Sequence, residues 1–232
     1  MAVASITPEW VRGVIIMDLL TFFVVLGGWI FSLCLHEFSH ALVAYWGGDW
    51  TVREKGDLTF NPLKYTHPVY SLLLPLLFLV MGGIGLPGGA VYIETWRLRN
   101  EYWRSAMSLA GPMANLLVAF VLAFVLNTTT VGSTTLGPGL AFLAYLQIMA
   151  VVLNLIPVPP FDGYGVIGPF LPDGLRMQVA QVRGAFIWIV FLVLWFVPVA
   201  GRALFTLVSL ISVVLGIPGG LISTGLQQFR VF

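Results

Sequence analysis

Apolar runs of about 20 residues, the length that crosses the hydrocarbon of a bilayer as a helix, recur along most of this chain. Of its 232 residues 59% are hydrophobic and only 9% charged, against about 25% charged in an ordinary soluble domain. Mean hydropathy is +0.95. These features predict an all-α polytopic membrane protein, not a soluble domain with an anchor. The net charge of +1 gives no footing for a nucleic-acid partner. Cys34 is the only cysteine, which excludes an intrachain disulfide and a cysteine-rich metal cluster. The opening MAVASITPEWVRG has no basic segment followed by a cleavage site, so no signal peptide is expected.

The first apolar segment spans about residues 13–46. As one helix it would be ~50 Å long, so it is either a long tilted helix or two pieces broken near Gly27-Gly28. Gly47-Gly48 supplies a stop. A polar stretch from Asp49 to His67 follows. Residues 68–90 are apolar but interrupted by Pro75 and several glycines, and AVYIET after them has strand character. Further spans are expected at about 105–126 and 138–156. The proline-rich IPVPPFDGYGVIGPFLPDG cannot be regular helix. A C-terminal helical pair is expected within 184–222.

Within the first segment lies CLHEFSHALVAYW. It holds two of the three histidines and one of the five glutamates. Ionisable groups at membrane depth are costly and mark function by default. His36 and His40, four residues apart, fall on one helix face and can grip one metal ion, with Glu37 beside them to act on a water there. This is the HExxH arrangement of zinc hydrolases. The alternative is a pair of interfacial histidines and a glutamate facing a cavity. A catalytic zinc takes a third protein ligand and keeps a position open. His67 and the carboxylates are candidates, and Asp162 stands out because Pro157, Pro159, Pro160 and Gly163 would hold it rigidly. Cys34 points about 200° away from His36 on a helix and is a poor co-ligand. Asp18 would lie ~27 Å from His36 along a continuous helix, at the far interface.

HEFSH followed by NLIPVPPFDG resembles the site-2 protease family of intramembrane zinc metalloproteases, whose pattern is HExxH and then NxxPxPxLDG. Asn154, Pro157, Pro159, Asp162 and Gly163 match, with Phe161 where leucine is usual. AGPMANLLVAF is similar to the family's GPxxN helix and supplies Asn115. FNPLKYTHPVY is similar to the NPLKHIDP segment of the compact branch that lacks a PDZ domain, except that Tyr65 and His67 replace His and Asp. The resemblance covers roughly residues 30–175. It implies that His36, His40 and Asp162 ligate one Zn2+ per chain and that Glu37 is the catalytic base. Asn115 would either contact the oxyanion or substrate backbone or make an interhelical hydrogen bond, and Asn154 would either orient the loop or bind substrate. The resemblance further implies an endopeptidase acting on transmembrane protein substrates within the lipid bilayer. A non-proteolytic membrane-protein-binding or metal-handling homologue is the competing class.

Topology supplies a check. The HExxH helix and the 138–156 span must exit on one side if their ligands are to meet. Residues 47–104 then begin and end on that side, which predicts a re-entrant loop over 68–90. Arg53, Lys55, Lys64, Arg97, Arg99, Arg104, Arg176 and Arg183 all fall there, which makes it the cytoplasmic side by the positive-inside rule. The expectation is one membrane domain over 1–232, with its core in 13–175. It has five to six transmembrane helices, the re-entrant loop and a short β-element before the GPxxN helix.

Overall fold

The computed structural model describes residues 18–61 and 93–230. The long apolar runs become helices α1 (Leu19–Gly47), α3 (Glu101–Thr128) and α4 (Gly137–Asn154). Among the described residues, these are the three helices long and apolar enough to cross a membrane. Short α2 (Thr51–Lys55) follows α1, and α5 (Asp162–Ile167) follows α4. The C-terminal part folds as α6 (Asp173–Phe196), α7 (Pro198–Val214) and α8 (Gly219–Phe229). α6 bends by 56° between Asp173–Val182 and Gly184–Phe196, and counting this bent pair as one span raises the total to four.

Local chemistry sets the ends of these helices. The Asp18 carboxylate caps α1 by accepting the Thr21 amide at 2.9 Å. At the other end Gly48 takes φ 119°, and its N–H returns to the last turn of α1. That left-handed conformation favours glycine. The Asn100 side chain caps α3 through the Trp103 amide, and Gly216 at φ 72° ends the turn after α7.

α4 is the central element and packs on α1, α3, α7 and α8. Small residues permit the close approach, as is usual between membrane helices. Gly28 of α1 lies under Leu143 of α4, and Gly139 lies against Thr21, so α1 and α4 run parallel. Ala119 and Ala123 of α3 join Ala141, Ala144 and Ile148 of α4 in the main core. Gly47 lies against Trp103, and Gly111 against His36 and His40, so α1 and α3 are antiparallel. Away from these seams α3 exposes Leu117, Phe120, Val121 and Phe124, and α7 exposes Leu207, Leu210 and Val213. Bands of this size suit contact with lipid tails.

One open alternative closes and two expectations change. α1 is continuous across Gly27-Gly28: the helix closes every backbone bond within itself, and Leu143 fills the space that Gly28 leaves. There is no strand among the described residues. Ile93 and Glu94 are irregular and lead into a 3₁₀ turn at Thr95–Arg97, while Val91, Tyr92 and the 68–90 loop lie outside the described residues. The C-terminal pair becomes three helices, because Pro198 opens α7 one residue after α6 and Gly216 separates α7 from α8. The carbonyl of Leu215 accepts the Asn127 side chain at 3.2 Å, which brings the end of α7 to the end of α3.

Candidate metal centre

His36 and His40 sit one turn apart on α1, both buried. Their ring planes lie 78° apart with centroids 4.7 Å apart. Nδ1 of His40 is 2.6 Å from the Met107 carbonyl of α3. A carbonyl only accepts, so Nδ1 carries the proton and Nε2 is left as the free lone pair. A backbone acceptor of this kind fixes the tautomer and orientation of a ligating imidazole. The sequence offered no sign of it, since a main-chain oxygen has no residue signature.

Asp162 reaches the same point from the first residue of α5. Its Oδ2 is 3.2 Å from His36 Nε2 and its Oδ1 is 3.4 Å from His40 Nε2. The two Nε2 atoms are 3.0 Å apart. A tetrahedral zinc with bonds of about 2.0–2.1 Å has ligand–ligand edges of about 3.3 Å; the 3.0 Å between the two Nε2 atoms and the 3.2 and 3.4 Å from them to the two Asp162 oxygens, one oxygen to each histidine, are close to such edges, and one donor atom from each residue lies within 4.8 Å of the others. Two neutral imidazoles and a carboxylate are also a donor set suited to zinc. The Asp162 side chain is 22% exposed and those of the histidines 8%, so the open side of the group is the aspartate's side.

The loop before Asp162 is folded tightly onto the end of α4. A Cβ on Gly163 would come within 2.3 Å of the Leu155 carbonyl oxygen. Here glycine is needed for close approach between backbones. α5 is also pinned to α3: the Ser105 hydroxyl donates to the Val166 carbonyl at 2.5 Å, and Gly165 lies against Ser108. On α3 itself Gly111 faces the two histidines. A Cβ there would lie 2.3 Å from His40 Nε2 and 2.5 Å from His36 Nε2. Only the small GP pair in AGPMAN hinted at this in the sequence.

The other residues singled out in the sequence occupy different places on these helices. Glu37 is buried on α1 next to His36. Asn115 is buried on α3, one turn beyond Gly111, and its Oδ1 has no hydrogen-bond partner. Asn154 is the buried last residue of α4. Cys34 is buried outside the group, and Asp18 caps the far end of α1. Tyr65 and His67 lie outside the described residues.

Comparison with known proteins agrees with this geometry. The chain is 44% identical over 215 residues to "Putative zinc metalloprotease Rip2" of Mycolicibacterium smegmatis, covering 90% of this chain and 80% of that protein. It is 42% identical over 193 residues to the protein of the same name from Mycobacterium tuberculosis (82% and 74% covered). It is 31% identical over 192 residues to "Putative zinc metalloprotease YwhC" of Bacillus subtilis (78% and 83% covered). No family model and no solved structure matches. With such identity over most of its length, and a donor set shaped for zinc, the chain belongs to the site-2 protease family of zinc metalloproteases.

Proposed function

We propose that the protein is an intramembrane endopeptidase that hydrolyses peptide bonds within or near transmembrane segments of membrane-protein substrates. One observation carries this reading: His36, His40 and Asp162, from distant parts of the chain, converge at zinc-like spacing on an apolar helix that also bears Glu37. His36 Nε2, His40 Nε2 and one Asp162 oxygen would hold the ion. When bound, zinc polarises the scissile carbonyl and acidifies water. Glu37 takes a proton from the attacking water as its oxygen bonds to the carbonyl carbon. The C–N bond then breaks, and Glu37 returns the proton to the leaving nitrogen. Asn115 and Asn154, both buried, would donate their amides to the carbonyl oxygen or the substrate backbone.

Orientation follows from charge. Arg53, Lys55, Arg97, Arg99 and Arg104 cluster beyond the Gly47 end of α1 and the start of α3, the end nearer the metal group. The positive-inside rule makes this the cytoplasmic side, as a multi-pass protein of the plasma membrane in a prokaryote. The test is to incubate the purified zinc-loaded protein with a single-span membrane substrate and map the products. Cleavage inside or beside the span, abolished by a chelator and restored by zinc, is expected. Products confined to water-soluble substrates would overturn the membrane assignment.

A further inference from the structure

A second polar position lies deeper in the bundle than the metal group, and the sequence did not single out its glutamine. Gln147 in the middle of α4 is 1% exposed, and its Oε1 has no hydrogen-bond partner. Asn115 is 5% exposed, with Oδ1 likewise unpaired. Helix register brings the two to one depth. α3 runs antiparallel to α1, with Gly111 against His36 and His40. Asn115, one turn on, is level with the turn of α1 that precedes His36. α4 runs parallel to α1 with Leu143 against Gly28, so Gln147, one turn on, is level with Ser32.

Direction agrees with depth. Gln147 is about 40° round α4 from Leu143, which faces α1, and about 60° from Ala144, which packs in the core with α3. It therefore faces the seam where α1, α3 and α4 meet. Ser32, on the α1 face of that seam, is buried and spends its one hydrogen on the Trp29 carbonyl at 2.9 Å. What remains are three acceptors: Asn115 Oδ1, Gln147 Oε1 and the Ser32 hydroxyl oxygen. Buried acceptors left unmade cost free energy, and a small polar ligand that brings donors removes that cost. The ligand must donate and must reach atoms that are almost fully enclosed, which suits water and not a peptide strand.

We propose that the α1–α3–α4 seam on the bilayer side of the metal group is a buried water site built by Asn115 and Gln147. Gln147 is a positioning residue. Water donating to Asn115 Oδ1 turns the Asn115 Nδ2 hydrogens toward the substrate. This role rests on the proposed peptidase reading, whereas the water site itself does not.

Two measurements on the full chain in lipid nanodiscs test it. X-ray hydroxyl-radical labelling reads buried water directly. Labelling of Trp29, 8% exposed and beside the seam, should fall several-fold in Gln147→Met, whereas that of Phe229, fully buried on α8, should not change. Gln147→Met keeps the shape of the side chain and removes the acceptor. Equal labelling of Trp29 in the wild-type protein and in Gln147→Met overturns the site, whether or not proteolysis is detected. With a membrane substrate, Gln147→Met should lower kcat roughly tenfold, the worth of about one hydrogen bond, with KM unchanged and partial recovery in Gln147→Asn. A raised KM at constant kcat would mean that Gln147 binds substrate instead, and would overturn the assignment to water.

Discussion

A methyl group at position 111 would sit 2.3 Å from His40 Nε2 and 2.5 Å from His36 Nε2, inside the space a metal needs. The same addition at Gly27, on the first helix, meets nothing within 4 Å. Gly111→Ala should therefore weaken zinc binding by about ten- to a hundredfold, the range for disturbing groups that support a metal site. Gly27→Ala should leave it unchanged and stabilise the helix slightly. Competition against a zinc-sensitive dye reads both; equal affinities would remove Gly111 from the metal wall. At this scale legibility was uneven. His36, Glu37 and His40 declare themselves because ionisable groups at helical spacing stand out from an apolar run. The Met107 carbonyl and the Gly111 contact come from another helix. One has no side chain to read and the other none to see.

Each end of α1 is held by a tie that can be tested. At its start Asp18 accepts from the Thr21 amide and hydroxyl, and its own N–H donates to the Gln228 carbonyl of α8. Losing an N-cap costs about 1 kcal/mol, so Asp18→Ala should lower the thermal midpoint. The Thr21 hydrogen bonds hold the Asp18 carboxyl below its ordinary 3.8. A lowered pKa binds fewer protons in the folded state. The cap is therefore fully present above about pH 4, and it is lost as pH falls through the lowered value. α8 docks by close contact: a Cβ on Gly225 would lie 2.1 Å from the Pro138 carbonyl oxygen. Gly225→Leu should free α8, read as faster hydrogen exchange over Gly219–Phe229; unchanged exchange would contradict the docking. Past the other end of α1, Glu94 bridges Lys55 at 3.0 Å and Arg97 at 2.6 Å. Those bonds hold its carboxyl below 4.5, so this tie too weakens as the pH falls into the acid range, and added salt should also loosen it. Helix existence was legible from apolar length alone. Whether α1 breaks at Gly27-Gly28 stayed open, and of AVYIET, expected to have strand character, the described part from Ile93 to Thr95 forms no strand. Glycine and β-branched residues weigh on local preference, and neither accounts for Leu143 packing over Gly28 or for the 3₁₀ turn that begins at Thr95.

At the scale of the molecule, the fold brings together groups that lie more than a hundred residues apart. α1 supplies two imidazoles, α3 closes over them with Gly111, and the end of α4 turns sharply to deliver Asp162. This convergence was legible because the two motifs share one chemistry, and because the spans between them have to return to one side. The depth and lining of the seam around Gln147 were not legible, since a single glutamine in an apolar helix carries no spacing signal. The central claim is that this arrangement hydrolyses peptide bonds and does not merely bind metal. Glu37→Gln tests it most directly, with zinc content and cleavage of a membrane substrate measured on the same preparation. Wild-type zinc content with cleavage reduced by about two to four orders of magnitude, the usual contribution of a general base, is expected. Wild-type cleavage by the zinc-loaded variant would contradict it.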